Sequence, residues 1–352
     1  MISPARQIAF DILRRVEQGG YASDLLVKRS VALDSRDAGL ASEIVFGCLR
    51  FQAQLDYLIG KLCPRALDRD VRIALRMGIY QLRYLDRIPP HAAVGESVEL
   101  VKRAAKRSAA GLVNAVLRKV DRKPVEWPDR ATALSMPAWL LEKWDGRFGR
   151  EKAERIARAF LEPAETTIAS TGRIQDVGAQ SVVPFLDLHP GQRFLDVCAA
   201  PGNKTAQVLA YGVHAVAADR HFSRLLPMRD LGCPLVVADA VAGFPFRAAF
   251  DRILVDAPCS GTGTLGRNPE IKWRLRFTDL NELRVKQTSM LRHALALLRP
   301  GGRLVYSTCS LEEEENEQVI AAFPGSWQIT ERLPGFDPGD GFFVACIEPR
   351  PE

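Results

Sequence analysis

The spacing of apolar residues changes character part-way along this chain, and that change limits the possible folds more than any other feature. In the first part, apolar residues recur three and four positions apart, as in Ile8, Ile12, Leu13 and Val16, in Leu40, Ile44, Val45 and Leu49, and in Ile73, Leu75, Ile79 and Leu82. That is the period of a helix with one buried face. Pro89-Pro90 interrupts the pattern before a helix through Val94, Val98 and Val101, and another runs through Leu112, Val113, Val116 and Leu117. Five or more helices with short connections make a bundle. From Phe194 onward, short β runs at 193–198, 213–218, 234–238, 251–256, 302–307, 326–331 and 342–347 alternate with helices at about 204–211, 221–231, 279–298 and 313–322. This alternation predicts a mostly parallel, doubly wound sheet, so the chain is multidomain, α plus α/β.

Between the two textures, residues 121–136 contain Pro124 and Pro128 and read as a linker; Pro137 then opens a helical stretch, and a second helix runs from about Arg150 to Phe160. The expected division is a bundle over 1–125, a helical linker over 126–175 and an α/β domain over 176–352. The 352 residues suffice for two cores. No apolar run approaches the ~18 residues of a membrane span. Met1-Ile2-Ser3-Pro4-Ala5-Arg6 lacks a charged region followed by an apolar run, so no signal peptide and no membrane association are expected. The seven cysteines include no CxxC pair, which argues against a metal site or a disulfide framework and for a reducing cytoplasm. Residues 1–125 hold 22 Lys/Arg against 13 Asp/Glu, whereas 126–352 hold 26 against 29. A basic module joined to a near-neutral one suits a docked polyanion, or is simply a soluble basic bundle. A monomer is expected.

Two stretches follow predicted strands: Asp256-Ala257-Pro258-Cys259-Ser260 and Ser307-Thr308-Cys309-Ser310. In a parallel sheet such runs end at the edge where ligands bind. Two cysteines and a carboxylate facing one crevice suit covalent attack on an electron-poor ring, followed by proton removal. A thiolate is nucleophilic and can leave again, and a carboxylate can stabilise the electron shift during addition. Spacing does not choose between Cys259 and Cys309 as the attacking thiol. Cys48, Cys63, Cys233 and Cys346 read as small buried hydrophobes. Ser310 with Glu313 fits a capping box opening a helix directly after Cys309, whose amino terminus would lower the thiol pKa. The run Glu312–Glu315 reads as stabilising that helix start on a solvated face.

The run Phe194–Thr205 reads as strand, tight loop and helix start, with small residues that let backbone approach a ligand. Neither the GxxxxGK[ST] phosphate loop nor GxGxxG fits it. Asp219 ends the next strand, where a carboxylate can accept from a ribose diol or cap the helix near His221. Asp239 ends the third, within reach of an adenine amino group. Nucleoside recognition without a diphosphate cradle favours S-adenosylmethionine over NAD. The cofactor contacts expected are Cys198-Ala199-Ala200-Pro201-Gly202-Asn203-Lys204, Asp219, Asp239, Asp256 and Pro258, with Cys198 contributing backbone. Lys204 is also a candidate in the reactive crevice.

The runs Asp196–Thr205, Asp256–Trp273 and Tyr306–Asn316 resemble the motifs of RNA cytosine-C5 methyltransferases. Residues 1–125 resemble a NusB-like RNA-binding domain, most clearly at Val71–Leu82, Pro90–Val94 and Gly111–Arg118. The combination resembles the RsmB/Sun/Fmu family that acts on small-subunit (16S) rRNA. The resemblance implies a Rossmann-like class I methyltransferase using S-adenosylmethionine. It implies that Cys309, in the Thr-Cys pair, is the nucleophile, Cys259 the helper in elimination and Asp256 the ring-polarising carboxylate. Arg267, Asn268, Lys272 and Trp273 would then contact RNA backbone or a displaced base, or form a structured loop with Trp273 packed inward. The target base must leave its stack.

Two departures stand out. Asn203 occupies a position where the family usually has glycine, and asparagine tolerates left-handed backbone well. A small α/β segment usual in the family is missing near 171–175, where Glu165–Ser170 passes almost directly into Gln175–Gln180. Target choice could therefore differ. The alternatives are the same chemistry on tRNA or another rRNA cytosine, or a non-catalytic RNA-binding assembly protein. An N6- or N4-amino methyltransferase is disfavoured because Asp256-Ala257-Pro258-Cys259 replaces its [DN]PP[YF] tetrad.

Overall fold

A computed structural model describes residues 2–247 and 250–348. The chain forms two compact units, Met1–Pro163 with Leu265–Trp273, and Ala164–Thr264 with Arg274–Glu352. The first is helical. Helices Pro4–Val16, Ser35–Arg50, Arg69–Tyr84, Pro90–Arg103 and Ala110–Leu117 enclose a core that includes Ile12, Ile44, Leu55, Ile73, Leu75 and Ile79. Asp34 and Asp68 cap two of these helices, accepting from the backbone N–H of Asp37 and Asp70. Pro4 and Pro90 sit at first helical positions, where a missing N–H costs nothing. A Cβ on Gly47 would lie 1.9 Å from the Tyr80 ring, so glycine is what lets helix 35–50 press against helix 69–84.

The segment Leu265–Trp273 completes this unit. Lys272 Nζ donates to the carbonyl of Arg50 at 3.0 Å and Trp273 Nε1 to that of Leu49 at 2.7 Å. Arg50 in turn donates to Gly266 O, and Glu270 Oε1 accepts from the N–H of Ala22. The last carbonyls of a helix lack intrahelical partners, and here two side chains supply the donors to helix 35–50. Lys272 is 1% exposed; burial, then the Arg50 charge, lowers its pKa to about 7. Of the two readings of this segment, Lys272 and Trp273 take the packed one.

The second unit is built on a seven-stranded sheet: β1 Arg193–Asp196, β2 His214–Asp219, β3 Leu235–Val237, β4 Phe250–Asp256, β5 Leu298–Thr308, β6 Gln328–Arg332 and β7 Phe342–Ile347. Its order is β3-β2-β1-β4-β5-β7-β6. β1 to β5 pair in parallel, and β7 runs antiparallel between β5 and β6. The fold is thus α plus α/β, as the periodicity predicts. Helix Phe277–Leu295 packs Met290, Leu291 and Ala294 onto one face. Strand order reverses between β1 and β4, which places the ligand-binding crevice beyond their carboxyl ends.

Two predicted helices are shorter than expected. Over 221–231 only Phe222–Leu225 is α-helical, followed by 3₁₀ turns over Leu226–Leu231; Pro227 lacks the N–H that continuation requires. Over 313–322 only Glu317–Ile320 is helical. No described helix is long and apolar enough to cross a membrane.

Candidate active site

Beyond β1 the chain turns sharply through Cys198–Gly202 into helix Asn203–Leu209. The turn rests on Gly202, at φ +95°, where a Cβ would lie 2.9 Å from Met228 Cγ. The left-handed position is therefore Gly202, not Asn203 as the departure from the family suggested. Asn203 makes side-chain contacts instead. Its Nδ2 donates to Ile174 O at 3.1 Å, and Arg173 Nη1 donates to Asn203 Oδ1 at 3.1 Å and Pro201 O at 3.2 Å. A short hairpin closed by the Ile168–Ile174 bridge is thereby fastened to the loop.

A cleft opens here, walled by Gln175, Ala179, Asp196, Cys198, Ala199, Ala200, Pro201, Asn203, Lys204 and Asp256. Gly202, Pro258, Asp219 and Asp239 are not among its walls. Asp219 is buried and accepts from the N–H of Ala200 at 3.3 Å and of His221 at 2.9 Å. Asp239 accepts from Val241 N at 3.0 Å. Both carboxylates brace the loops after β2 and β3. Asp196, the last residue of β1, was not singled out from the sequence, although an acidic residue ending a strand at this edge was a readable signal. It is 1% exposed, its Oδ2 accepts from Thr205 Oγ1 at 2.7 Å, and its Oδ1 has no hydrogen-bond partner. Burial pushes its carboxyl up to about 7, against the opposing Thr205 bond. Burial likewise raises the Cys198 thiol.

Strands β4 and β5 carry the candidate reactive groups at their carboxyl ends. Their register pairs Asp256 with Ser307, so the loops that follow leave the same edge. Cys259 Sγ and Cys309 Sγ lie 3.3 Å apart. Asp256 accepts from Lys204 Nζ at 2.7 Å and from Ser307 Oγ at 2.7 Å. Burial alone would lower the Lys204 pKa, but Asp256 holds it above the usual value. The hydrogen bond to Cys309 and burial push the Cys259 thiol well up. Gly263 ties the two loops, donating to Cys309 O at 2.9 Å; a Cβ there would meet that oxygen at 2.9 Å and Gly341 O at 2.4 Å.

The environment after Cys309 differs from the sequence expectation. No helix starts at Ser310, so no capping box forms and no helix amino terminus faces the thiol. Glu312, Glu314 and Glu315 are buried rather than solvated. The Ser310 hydroxyl donates to Glu315 at 2.5 Å, and Glu315 also meets Ser260 and Gln287. Burial raises the Glu315 carboxyl pKa while these donors oppose it. Sequence reasoning missed Ser307, Glu315 and Gln287, and for the last two no local signal existed.

A family model described as 16S rRNA methyltransferase RsmB/F matches residues 183–331, and one of the NusB family matches residues 3–122. The chain is similar to ribosomal RNA small subunit methyltransferase B of Klebsiella pneumoniae subsp. pneumoniae, 34% identical over 412 residues and covering 95% of each chain. The chain belongs to the RsmB/F methyltransferase family. A probable member from Bacillus subtilis is 32% identical, over 95% of this chain and 89% of that one. The Klebsiella alignment is longer than the 352 residues of this chain, so that relative carries residues absent here. The crystal structure of PH0851 shares the fold, with a TM-score of 0.80 over 99% of both chains at 21% identity. RsmB/F enzymes depend on S-adenosylmethionine, and the cleft fits it: the partnerless, buried Asp196 Oδ1 can accept from its ammonium, and the Asp196 and Asp256 carboxyl groups line the walls.

Proposed function

We propose that this RsmB/F methyltransferase forms 5-methylcytosine in 16S rRNA through a transient bond between Cys309 and the base, acting in the cytoplasm. The contact between the two thiols carries the reading, because both sulfurs can meet one pyrimidine edge. S-adenosylmethionine, when bound, supplies an electrophilic methyl group. The loop Cys198–Lys204 and Asp196 would hold its amino acid end, with Asp219, Asp239 and Pro258 toward the nucleoside. C5 of cytosine is a poor nucleophile. The Cys309 thiolate adds to C6, the ring electrons shift through C4 to N3, and N3 takes up a proton relayed from the Lys204 ammonium through Asp256, which leaves an enamine nucleophilic at C5. Lys204 and Ser307 hold Asp256 in place from two sides. After C5 is alkylated, its proton passes to the sulfur of Cys259 acting as a thiolate, the C5–C6 double bond re-forms, the C6–S bond breaks to return the Cys309 thiolate, and N3 gives its proton back to Asp256. The Cys309 hydrogen bond and burial, which push the Cys259 pKa up, make its thiolate a stronger base for that proton.

The NusB-matched bundle over 1–125 would bind the RNA, with 126–175 connecting it to a methyltransferase domain over 176–352. Position-resolved bisulfite sequencing of RNA from a deletion strain tests the target: loss of one 16S rRNA 5-methylcytosine is expected. Loss at a tRNA or another rRNA cytosine instead would move the substrate, and the residues missing near 171–175 are where such a change would arise. Transfer of labelled methyl by wild type but not by Cys309→Ala tests the chemistry; no transfer by either would favour a binding role.

A further inference from the structure

The two reactive loops share an anchor that is not one of the proposed reacting groups. Ser260 directly follows Cys259, and Ser310 directly follows Cys309. Both serines bond to one carboxylate, that of Glu315. Its Oε1 accepts from the Ser260 N–H at 2.8 Å and from Gln287 Nε2 at 3.0 Å. Its Oε2 accepts from the Ser310 hydroxyl at 2.5 Å and from the Ser260 hydroxyl. Gln287 Nε2 reaches on to Pro258 O at 3.0 Å, so the residue before Cys259 is held as well. Glu315 is itself fixed through its carbonyl, which accepts from Tyr306 OH of β5 at 2.6 Å. It is fully buried.

A carboxylate taken out of water is costly unless several donors satisfy it. Four donors do so here, and three of them belong to the serines flanking the cysteines. An apolar side chain could fill the same space, but it could not draw two separate loops to one point. We infer that Glu315 is a positioning residue of the methyl transfer, a clamp that holds the Pro-Cys-Ser and Thr-Cys-Ser loops so that both thiols address the same base. The inference rests on the proposed roles of Cys309 and Cys259. It adds that each thiol has its own tether, Ser310 for attack and Ser260 for release.

The test is single-turnover methyl transfer from labelled S-adenosylmethionine to 16S rRNA by the full chain, with denaturing gels for the protein–RNA adduct. A displacement of about 1 Å at a reacting group can cost on the order of a hundredfold. Glu315→Ala should therefore slow transfer by about that factor while cofactor affinity stays within about threefold. Glu315→Gln should recover to within about tenfold of wild type, since its oxygen can accept from the Ser260 N–H and its amide can donate to both hydroxyls. Ser310→Ala should slow adduct formation, and Ser260→Ala should let the adduct accumulate, as is expected of Cys259→Ala. Wild-type rates in Glu315→Ala, or equal loss in Glu315→Gln and Glu315→Ala with both serine variants unchanged, would overturn the clamp. Should Glu315→Ala fail to bind cofactor through misfolding, the serine pair decides: opposite shifts in adduct level support the clamp and unchanged levels refute it. Cys309→Ala in the same assay separates the two ideas, for transfer surviving there would overturn the cysteine roles themselves.

Discussion

Cys259 Sγ and Cys309 Sγ share a hydrogen bond at 3.3 Å, although 50 residues separate them in the chain. The cause is strand register. Asp256 on β4 pairs with Ser307 on β5, and Cys259 lies three residues past the end of β4 and Cys309 one past the end of β5. Cys259→Ala is expected to accumulate a denaturation-resistant protein–RNA species and to lower multiple turnover by about a hundredfold or more. Cys309→Ala should form no such species. A denaturing gel reads both, and accumulation in Cys309→Ala instead would exchange the roles.

The hairpin over 167–175 is fastened to the cofactor loop by Arg173 and Asn203. Each such hydrogen bond contributes about 1 kcal/mol net. Arg173→Ala and Asn203→Gly are each expected to weaken S-adenosylmethionine binding by about three- to tenfold in calorimetric titration, with little effect on the rate of bound complex. An unchanged Kd in both variants would show that the hairpin does not shape the cleft.

Asp196 predicts a pH dependence. Its carboxyl titrates near 3.9 in an unfolded chain and is pushed to about 7 by burial in the fold. Between those values the folded protein holds a proton that the unfolded chain has released. Its contribution is therefore fully present below about pH 4 and is lost as pH rises to about 7. Asp196→Asn stays neutral and should flatten this part of the profile, gaining stability relative to wild type at pH 8 but not at pH 4. Urea unfolding at the two pH values measures it. The same variant should bind S-adenosylmethionine about tenfold more weakly, because an amide lacks the charge that pairs with an ammonium.

Gly202→Ala places a Cβ at a backbone angle of +95° and 2.9 Å from Met228 Cγ. The strain is worth about 1–3 kcal/mol. A lower melting temperature of the cofactor-free protein is expected, with part of the loss regained at saturating S-adenosylmethionine. A thermal shift assay reads both, and an unchanged melting temperature would mean the turn relaxes at no cost.

The strands were readable because buried β runs here are short, apolar and bounded by turn residues; β4 and β7 fall within a residue of their predicted ends. The helix predicted over 221–231 broke at Pro227, a residue whose effect on the α-helical ladder local chemistry does announce. The run Glu312–Glu315 misled for a different reason. Four consecutive glutamates look like a solvated helix start, and nothing nearby in sequence reveals that Glu315 meets Ser260, 55 residues earlier. Lys272 and Trp273 are the same kind of case. Their partners are the carbonyls of Leu49 and Arg50, more than two hundred positions away, and no periodicity encodes that pairing.

The capping of helix 35–50 by Lys272 and Trp273 has an outcome for synthesis. A ribosome releases the amino-terminal helices long before it reaches codon 273, so the bundle must wait, with two carbonyls met only by water, while most of the α/β sheet emerges. A gene fragment ending at residue 163 should accordingly yield a looser bundle than the whole chain does, and adding the nine-residue piece Leu265–Trp273 as a free peptide offers a way to tighten it.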